Sequence, residues 1–520
     1  MAITSLILWS LTALIGYLIY NQSVQRKRQG KLPPGPKPHP ILGNLKDFPP
    51  DGVPEYQHWL KHKDLYGGIS SVTVLGLTLV AIHDRKTAHG LLEQTSSKTS
   101  GRPTMVMANK LCGYESIVLC QSYTPTFRRY RKYLHRELGT KVSAAQFRSV
   151  QEIEVSRQLV RALNEPGKWL EHFKTAAAAT VLKTAYGYTI EPHKPDPLVD
   201  LIDKMMTEFS LAAVPMAWAV DIIPAFRYLP EISLRTFRRQ RVGGKGPSWT
   251  LRTSRTDLSG VKWLQLRRDE DAKLEHEDEQ AIIWTAASLY GAAADTTIIT
   301  LTIFTLAMIK FPHVQRKAQE QIDRVVGTDR LPNFDDRSQL PFIDALVKEA
   351  VRWWPIAPMG FPHTATEDIV YNGLHIPQGS LLLPAVWWFL HDPDVYAEPE
   401  AFDPDRFLAP RNEPDPTADA FGYGRRVCPG RFLADASLYL TVAQLLAAFN
   451  MRKAVGEDGK EVEVDVRPRP GILTYPTKFD FRIEPRSERH VQLIRQLERR
   501  YPWEPSDAEL LESVDDFEAG

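Results

Sequence analysis

One stretch near the C-terminal end of the chain decides the fold, and it reads Phe421-Gly422-Tyr423-Gly424-Arg425-Arg426-Val427-Cys428-Pro429-Gly430. Pro429 directly follows the cysteine and suits the first turn of a helix, where a missing N–H costs nothing. An apolar run from Phe432 to Leu446 then predicts that helix. The N–H groups and the positive dipole end of a helix start favour a thiolate. The stretch therefore predicts a tight loop that presents Cys428 at a helix start, although a lone cysteine is more often a buried free thiol.

The whole pattern resembles the haem-binding loop of the cytochrome P-450 family, the haem-thiolate monooxygenases, and its style is similar to fungal secondary-metabolism members. The resemblance implies a mainly α-helical fold with a small β region, forming a single large domain. It implies haem b as the cofactor, with Cys428 as the axial ligand of the iron. Phe421 and Arg426 match haem-binding positions, and Arg426 is a candidate to bind a propionate.

Composition limits the possible partners of the chain. The 520 residues include 64 basic and 63 acidic side chains, and this balance gives no reason to expect nucleic-acid binding. Three cysteines do not make a disulfide framework. The sequence contains no Walker loop, and no glycine-rich dinucleotide fingerprint follows a strand. The resemblance therefore implies that electrons from NADPH arrive through a partner, a flavoprotein reductase.

The N-terminal segment predicts a membrane anchor. Residues 3–20 are uncharged and mostly apolar, and 18 residues just span a bilayer core at about 1.5 Å each. Basic residues follow the span, so the remainder is expected in the cytosol, at the endoplasmic reticulum. A cleaved signal peptide is the alternative, but its basic start and cleavage site are not evident. The predicted organisation is an anchor (1–22), a basic, proline-rich hinge (23–40), the catalytic domain (41–486) and a charged C-terminal tail (487–520).

A basic helical stretch begins at Phe127. It resembles the family helix whose Trp-x-x-x-Arg pair contacts a haem propionate. Arg131 matches the arginine, and its planar fork suits a carboxylate. Phe127 replaces the tryptophan, so one donor is lost. Arg128, Arg129 and Lys132 are expected to face outward, either as ordinary solvated surface or as a docking site for an acidic electron donor.

Residues 282–310 form the strongest predicted helix, and Asp295 and Thr296 lie at its middle. A carboxylate inside an apolar helix is costly. The resemblance implies that this acid and alcohol manage protons beside bound dioxygen, whereas the simpler reading is a threonine bonded to a carbonyl one turn back. Ala293 stands where the family usually has glycine, which puts efficient coupling of oxygen to substrate in doubt.

Three further charged residues match the family in order and spacing: Glu349, Arg352 and Arg406. The resemblance implies a buried charge network that locks the core, and removal of one member would cost about 3–5 kcal/mol. His363 ends a predicted strand, residues 357–363, and stands where the family often binds a propionate; a satisfied surface histidine is the alternative.

Other segments predict the substrate pocket. Residues 69–83 read as two strands around Gly76, and residues 471–476 as the last pocket-lining turn. The expected apolar lining comprises Met105, Met107, Leu111 and Ile117, and the expected roof Leu201, Ile202, Met205, Met206, Phe209 and Leu211. Residues 241–262 match the family poorly and represent either a loop insertion or a wrongly predicted exon.

These features together predict a monooxygenase that inserts one oxygen atom of O2 into an apolar small molecule, as a hydroxylation or oxidation step in secondary-metabolite biosynthesis. Two alternatives stay open. One is a haem-thiolate isomerase or dehydratase that does not use O2, which Ala293 makes more plausible; the other is a non-catalytic or wrongly predicted family member. The sequence does not identify the substrate, the pathway or the role of the tail.

Overall fold

The computed structural model of the protein describes residues 31–50, 52–228 and 275–510. The predicted anchor, the first part of the hinge, the 241–262 segment and the last ten residues of the tail lie outside the described residues. The chain forms two compact units. In described residues, the first comprises 31–103, 361–385 and 423–425, and the second comprises 104–360, 386–422 and 426–510, with the gaps just given.

The first unit is built on a four-stranded sheet. Its strands are β1 (Ile69–Val74), β2 (Leu77–Ile82), β3 (His363–Thr364) and β6 (Leu381–Pro384), in the order β1-β2-β6-β3. The hairpin between β1 and β2 turns at Leu75 and Gly76, whose φ angles of 49° and 90° suit a tight two-residue turn. The two strands predicted around Gly76 are thus confirmed.

A second, two-stranded sheet in this unit pairs β4 (Ile369–Tyr371) with β5 (Leu374–Ile376). The helices of the unit are α1 (Glu55–Tyr66), α2 (Arg85–His89) and α3 (Ser96–Thr99). The prediction of a strand over residues 357–363 is mostly wrong. Only His363 and Thr364 pair, with Leu382 and Leu381, because Gly360 N–H already bonds to the carbonyl of Ala357 in a turn.

The second unit is helical. Its helices are α4 (Pro125–Leu138), α5 (Lys141–Ala145), α6 (Arg148–Asn164), α7 (Trp169–Tyr186), α8 (Pro197–Ala212), α9 (Ala219–Ile222), α10 (His276–Lys310), α11 (Pro312–Val325), α12 (Pro341–Trp353), α13 (Val386–His391), α14 (Thr417–Ala420), α15 (Arg431–Ala448) and α16 (Glu488–Arg500). Several starts are capped as their sequences predict: the Asp196 carboxylate accepts the N–H of Leu198 at 2.9 Å, and the hydroxyl of Thr124 accepts that of Phe127.

Helix α10 is the centre of the second unit and packs against α7, α4, α15 and α8. Its 35 residues are apolar nearly all round, as expected for a helix enclosed on most sides. It is also the one described helix long and apolar enough to cross a membrane, but most of it is buried within the protein. Its place in the core explains its composition.

The hydrophobic core of this unit gathers side chains from α6, α7, α10, α12 and α15 around Phe304, Leu346 and Leu445. Trp169 is fully enclosed there, and its indole N–H donates to the Thr305 hydroxyl at 3.1 Å. The sheet of β7 (Phe449–Lys453) and β8 (Phe481–Pro485) borders the core. This packing fixes α10 and α15, the two helices that carry the candidate site.

The predicted charged tail is structured as far as it is described. Helix α16 packs on α6 through the buried Ile494. Beyond it, the Arg157 guanidinium donates to the carbonyl of Pro502 at 2.7 Å and to the Glu504 carboxylate at 3.1 Å. The indole of Trp503 lies 4.7 Å from the Arg161 guanidinium carbon. These contacts tie residues 488–504 to the helical unit.

Candidate haem site

Cys428 lies in the loop between α14 and α15. Its N–H donates to the Phe421 carbonyl at 2.8 Å, which closes the loop on itself. Burial raises the pKa of the Cys428 thiol, while the backbone N–H groups of Gly430 and Arg431 and the positive charge of Arg131 act in the opposite direction. Burial is the larger effect in the protein alone, so a thiolate here depends on a further positive charge such as that of a bound metal ion. The loop leads into α15 as the sequence predicted, although the helix begins at Arg431, two residues after Pro429.

Position 424 in the cysteine loop has room only for glycine. Its φ is +52°, in the region that favours glycine. A Cβ at this position would lie 2.6 Å from the Leu92 carbonyl oxygen and 2.7 Å from Ser96 Cβ. Any side chain would force the loop away from residues 92–96.

Two arginines of the second unit lie beside the cysteine loop. Arg131, on α4, donates to the carbonyl of Val427 at 2.8 Å. Arg426 is buried and donates to the carbonyl of Gln121 at 2.8 Å, and its guanidinium carbon lies 3.8 Å from the ring centroid of Phe127. Phe127 lacks the N–H donor of the expected tryptophan, but its aromatic face contacts the Arg426 guanidinium.

These residues fit a haem group. The Arg131 guanidinium is partly buried and its pKa is lowered mainly by desolvation, yet it has no carboxylate partner among the described residues. A propionate would supply the missing negative charge. A cysteine sulfur before a helix start, next to two guanidinium groups, offers a ligand for an iron and cations for the two carboxylates of a porphyrin.

Asp295 and Thr296 lie at the middle of α10. Asp295 is 6% exposed, and its Oδ2 accepts a hydrogen bond from the Tyr475 hydroxyl. The Thr296 hydroxyl donates to the carbonyl of Ala292, one helical turn back, at 2.9 Å. This is the bond expected if Thr296 is an ordinary helix threonine. Thr297 bonds to the carbonyl of Ala293 at 2.8 Å in the same way. Ala292 is exposed although α10 is otherwise mostly buried, so this turn presents an open face.

The structure brings Glu349, Arg352 and Arg406 together, each 0% exposed. The Glu349 carboxylate accepts Arg352 Nε at 2.7 Å, Arg352 Nη2 at 2.9 Å and Arg406 Nε at 3.1 Å. It also accepts the backbone N–H of Asp403 at 2.8 Å. Arg406 has a second carboxylate, Glu413, at 2.7 Å. The remaining guanidinium N–H groups donate to backbone carbonyls, including those of Leu390 and Pro399, so the network joins α12 to the segment before the cysteine loop.

His363 belongs to the first unit and is buried there, not on the surface. Its Nδ1 is 2.9 Å from the carbonyl oxygen of Thr99. Arg102, which the sequence analysis did not single out, contacts the two residues that precede His363. It is buried and donates to the carbonyls of Phe361 and Pro362 at 3.1 and 2.5 Å. A basic residue just before the expected pocket loop was the signal that could have found it.

The residues expected to line the pocket differ in their burial. Met105 and Met107 are buried in or beside a π-helical turn at Val106–Leu111, and Met205, Met206 and Phe209 are buried on α8. Leu211 is wrong as a roof residue, because it is 42% exposed at the end of α8, on the other face from Phe209. Ser210 on α8 instead holds the 471–476 turn, since its carbonyl accepts the N–H of Ile472 at 3.2 Å.

The basic face of α4 is only partly free. Arg128 and Lys132 are exposed, as expected. Arg129, however, pairs with Glu277 and lies 3.5 Å from Asp278. Both acids precede the apolar part of α10, so an internal ion pair neutralises one charge of the expected docking surface.

The fold and the site describe a mainly helical protein with small sheets and a cysteine loop that leads into a core helix. The model for the family "Cytochrome P-450" matches residues 33–481, so this chain belongs to the cytochrome P-450 family and is a cytochrome P-450 monooxygenase. It is 46% identical to cytochrome P-450 monooxygenase CLM2 of Gibberella zeae, over 96% of this chain and 98% of the relative.

Two further relatives also align over nearly their whole length. Multifunctional cytochrome P-450 monooxygenase af510 of Aspergillus fumigatus is 45% identical, over 96% of both chains. The O-methylsterigmatocystin oxidoreductase of Aspergillus flavus is 36% identical, over 95% of this chain and 96% of the relative. The similarity is therefore to fungal oxidising enzymes and covers nearly the whole length of each.

Proposed function

We propose that this chain inserts one oxygen atom of O2 into an apolar small molecule, as a hydroxylation or oxidation step of secondary-metabolite biosynthesis. The observation that carries the proposal is the loop that holds Cys428 just before α15, closed by the bond from the Cys428 N–H to the Phe421 carbonyl at 2.8 Å and flanked by Arg131, which donates to the carbonyl of Val427. Bound there, haem b supplies activation of dioxygen, because a thiolate ligand favours cleavage of the O–O bond. The other tasks belong to the protein.

Five residues would hold the cofactor. Cys428 would bind the iron through its sulfur, and the carbonyl of Phe421 accepts the Cys428 N–H and so sets the loop around the sulfur. Arg131, Arg426 and His363 are the proposed propionate partners. The Arg131 guanidinium, which has no acidic partner in the described part of the chain, is the strongest of the three.

Asp295 and Thr296 are the proposed catalytic residues, because a buried carboxylate and a neighbouring hydroxyl can hold and pass a proton at the open turn of α10. In the structure the Thr296 hydroxyl is engaged by the Ala292 carbonyl. Release of this bond would free the hydroxyl for a water or for dioxygen. Ala293 leaves less room than glycine at the same turn and is expected to limit coupling.

The substrate is proposed to be apolar because the buried side chains of α8 and of the 105–111 segment are mostly methionine, phenylalanine and valine. One relative acts, by its name, on O-methylsterigmatocystin. That relative's activity supports the substrate class for this chain, while the particular scaffold is not specified by these side chains.

The proposed partner is an NADPH-dependent flavoprotein reductase, and the proposed location is the endoplasmic reticulum membrane, with one N-terminal span (1–22), a hinge (23–40) and the catalytic domain (41–486) facing the cytosol. The exposed Arg128 and Lys132 on α4 are available to an acidic partner surface.

The function is tested with microsomes that contain the full chain and a reductase. Candidate terpenoid, polyketide and peptide scaffolds are incubated with NADPH under isotopically labelled O2. One labelled oxygen atom in the product, lost when NADPH or O2 is withheld, is the expected result. Product formed equally without NADPH and O2 would identify an isomerase or dehydratase instead.

A further inference from the structure

A short turn near the end of the second unit delivers one phenol to the proposed catalytic acid. The hydroxyl of Tyr475 donates to Oδ2 of Asp295, which is 6% exposed at the middle of α10. Asp295 and Tyr475 are 180 positions apart in the chain, so this contact is made by the fold and not by local sequence.

The backbone on both sides of Tyr475 is clamped. The N–H of Thr474 donates to the Ile356 carbonyl at 2.8 Å, and the Thr474 carbonyl accepts the indole N–H of Trp354 at 2.8 Å. The Tyr475 carbonyl accepts the N–H of Arg469 at 2.8 Å. Because the peptide groups before and after the Cα are fixed, the bond from which the ring extends toward Asp295 is held in place.

Gly471 allows the turn to approach α8. Its φ is +137°, and a Cβ there would lie 2.8 Å from the Ser210 hydroxyl oxygen. The turn is therefore held by α8 on one side and by the segment after α12 on the other. A tyrosine on such a support can orient a carboxylate without reorganisation.

The ring of Tyr475 also reaches the outer side of the turn. The guanidinium carbon of Arg469, an exposed residue, lies 5.3 Å from the ring centroid. The ring thus lies against an exposed cation, while its hydroxyl points to a buried carboxylate. This placement suits a residue that fixes Asp295 from the outer side of the turn.

We propose that Tyr475 is the positioning residue of Asp295: its hydroxyl holds the carboxylate at Oδ2, so that the group keeps one orientation for proton transfer at the open turn of α10. The proposal rests on the proposed role of Asp295 in the monooxygenase reaction. Tyr475 itself exchanges no atoms with the substrate. Its phenol keeps its proton and donates a hydrogen bond, while Asp295 takes and gives the proton.

The contact is tested first, without any activity measurement. A double-mutant cycle of Tyr475→Phe and Asp295→Ala is measured on the haem-loaded protein by urea unfolding, followed by its absorbance. A hydrogen bond to a charged group predicts a coupling of roughly tenfold in the unfolding equilibrium constant. Additive effects of the two changes would overturn the contact, whatever the enzyme does.

The role is tested with Tyr475→Phe and an apolar probe, 7-ethoxycoumarin. Turnover is compared with NADPH and reductase, where protons must be delivered to dioxygen, and with cumene hydroperoxide, which already carries the reduced oxygen. The proposal expects a roughly tenfold loss with NADPH, the same factor as the hydrogen bond, and less than about twofold with the hydroperoxide. Equal losses in both assays, or no loss in either, would overturn it.

Tyr439→Phe is the matched control. Tyr439 lies on α15 and is also buried, and its hydroxyl donates to the carbonyl of Asn333 at 3.2 Å and not to Asp295. It should leave the ratio of the two turnovers unchanged. A failure of the proposed function is distinguishable, since the unaltered protein would then lack NADPH-dependent turnover and the thiolate spectrum.

Discussion

Replacement of Glu349 removes the carboxylate that two fully buried guanidinium groups share. Three N–H groups, two from Arg352 and one from Arg406, lose a charged acceptor at 2.7–3.1 Å. Arg406 keeps Glu413 at 2.7 Å, but Arg352 keeps only backbone carbonyls, so its charge is left without an anion. The main cost therefore arises at Arg352.

Removal of one partner of a buried pair costs about 3–5 kcal/mol. Glu349→Gln preserves the shape and one oxygen acceptor, and we expect about 3 kcal/mol. Glu349→Ala adds a cavity to the lost charge, and we expect about 5 kcal/mol, enough to yield haem-free, unfolded protein since domains are stable by only about 5–15 kcal/mol. The measurement is the urea midpoint together with the haem content of purified protein.

Asp435→Asn is the control for this prediction. Asp435 accepts both Nη groups of Arg337 at 2.8 Å, but its side chain is 41% exposed. An exposed pair contributes at most about 1 kcal/mol. A Glu349→Gln protein with full haem content and a midpoint equal to that of Asp435→Asn would refute the reasoning that the network locks the core.

Three further predictions follow from single sites. Gly424→Ala should lower the free energy of unfolding by about 1–3 kcal/mol, and with it the thermal midpoint and the haem content, because the new Cβ would lie 2.6 Å from the Leu92 carbonyl oxygen at a φ of +52°. An unchanged midpoint would contradict the close approach. Arg131→Gln should weaken haem retention about tenfold in a myoglobin transfer assay, whereas the exposed Lys132→Gln should not; equal retention by both would argue against a propionate at Arg131. Burial lowers the pKa of His83 from 6.5 to about 4, so the folded protein favours the neutral form. The contribution of His83 to stability should be complete above pH 6.5 and should be lost, by up to about 3 kcal/mol, as the pH falls from 6.5 toward 4. His83→Gln should reduce this pH dependence in urea titrations, and an unchanged pH dependence would contradict the prediction.

The sequence predicted the elements whose signal is local. The helix that carries Asp295, the hairpin around Gly76 and the loop of Cys428 each follow from the spacing of apolar, glycine and proline residues. The three charged residues Glu349, Arg352 and Arg406 could be grouped only through their resemblance to a family, because their contacts join positions up to 57 residues apart.

What the sequence missed depends on contacts made by the fold. Tyr475 was placed in a pocket-lining turn, but its bond to Asp295 crosses 180 positions and has no local signature. The ion pair of Arg129 with Glu277 is hidden in the same way, since a basic helix face alone predicts solvent exposure. Leu211 was grouped with the apolar side of α8, yet it lies on the other face from Phe209 and is 42% exposed, while Ser210 and Ala212 beside it are buried. Residues 487–520 were predicted as a charged tail because basic and acidic residues dominate there, whereas in the described part Ile494 and His490 are buried on one side of α16.

The central claim is that Cys428 binds haem iron as a thiolate. It is tested most directly by the spectrum of the reduced, carbon-monoxide-bound protein, beside that of Cys428→Ser. We expect a strongly red-shifted Soret band for the unaltered chain and its loss in the variant, because only a thiolate ligand produces the shift. Haem bound with an unshifted band, or a shifted band that survives in Cys428→Ser, would contradict the account.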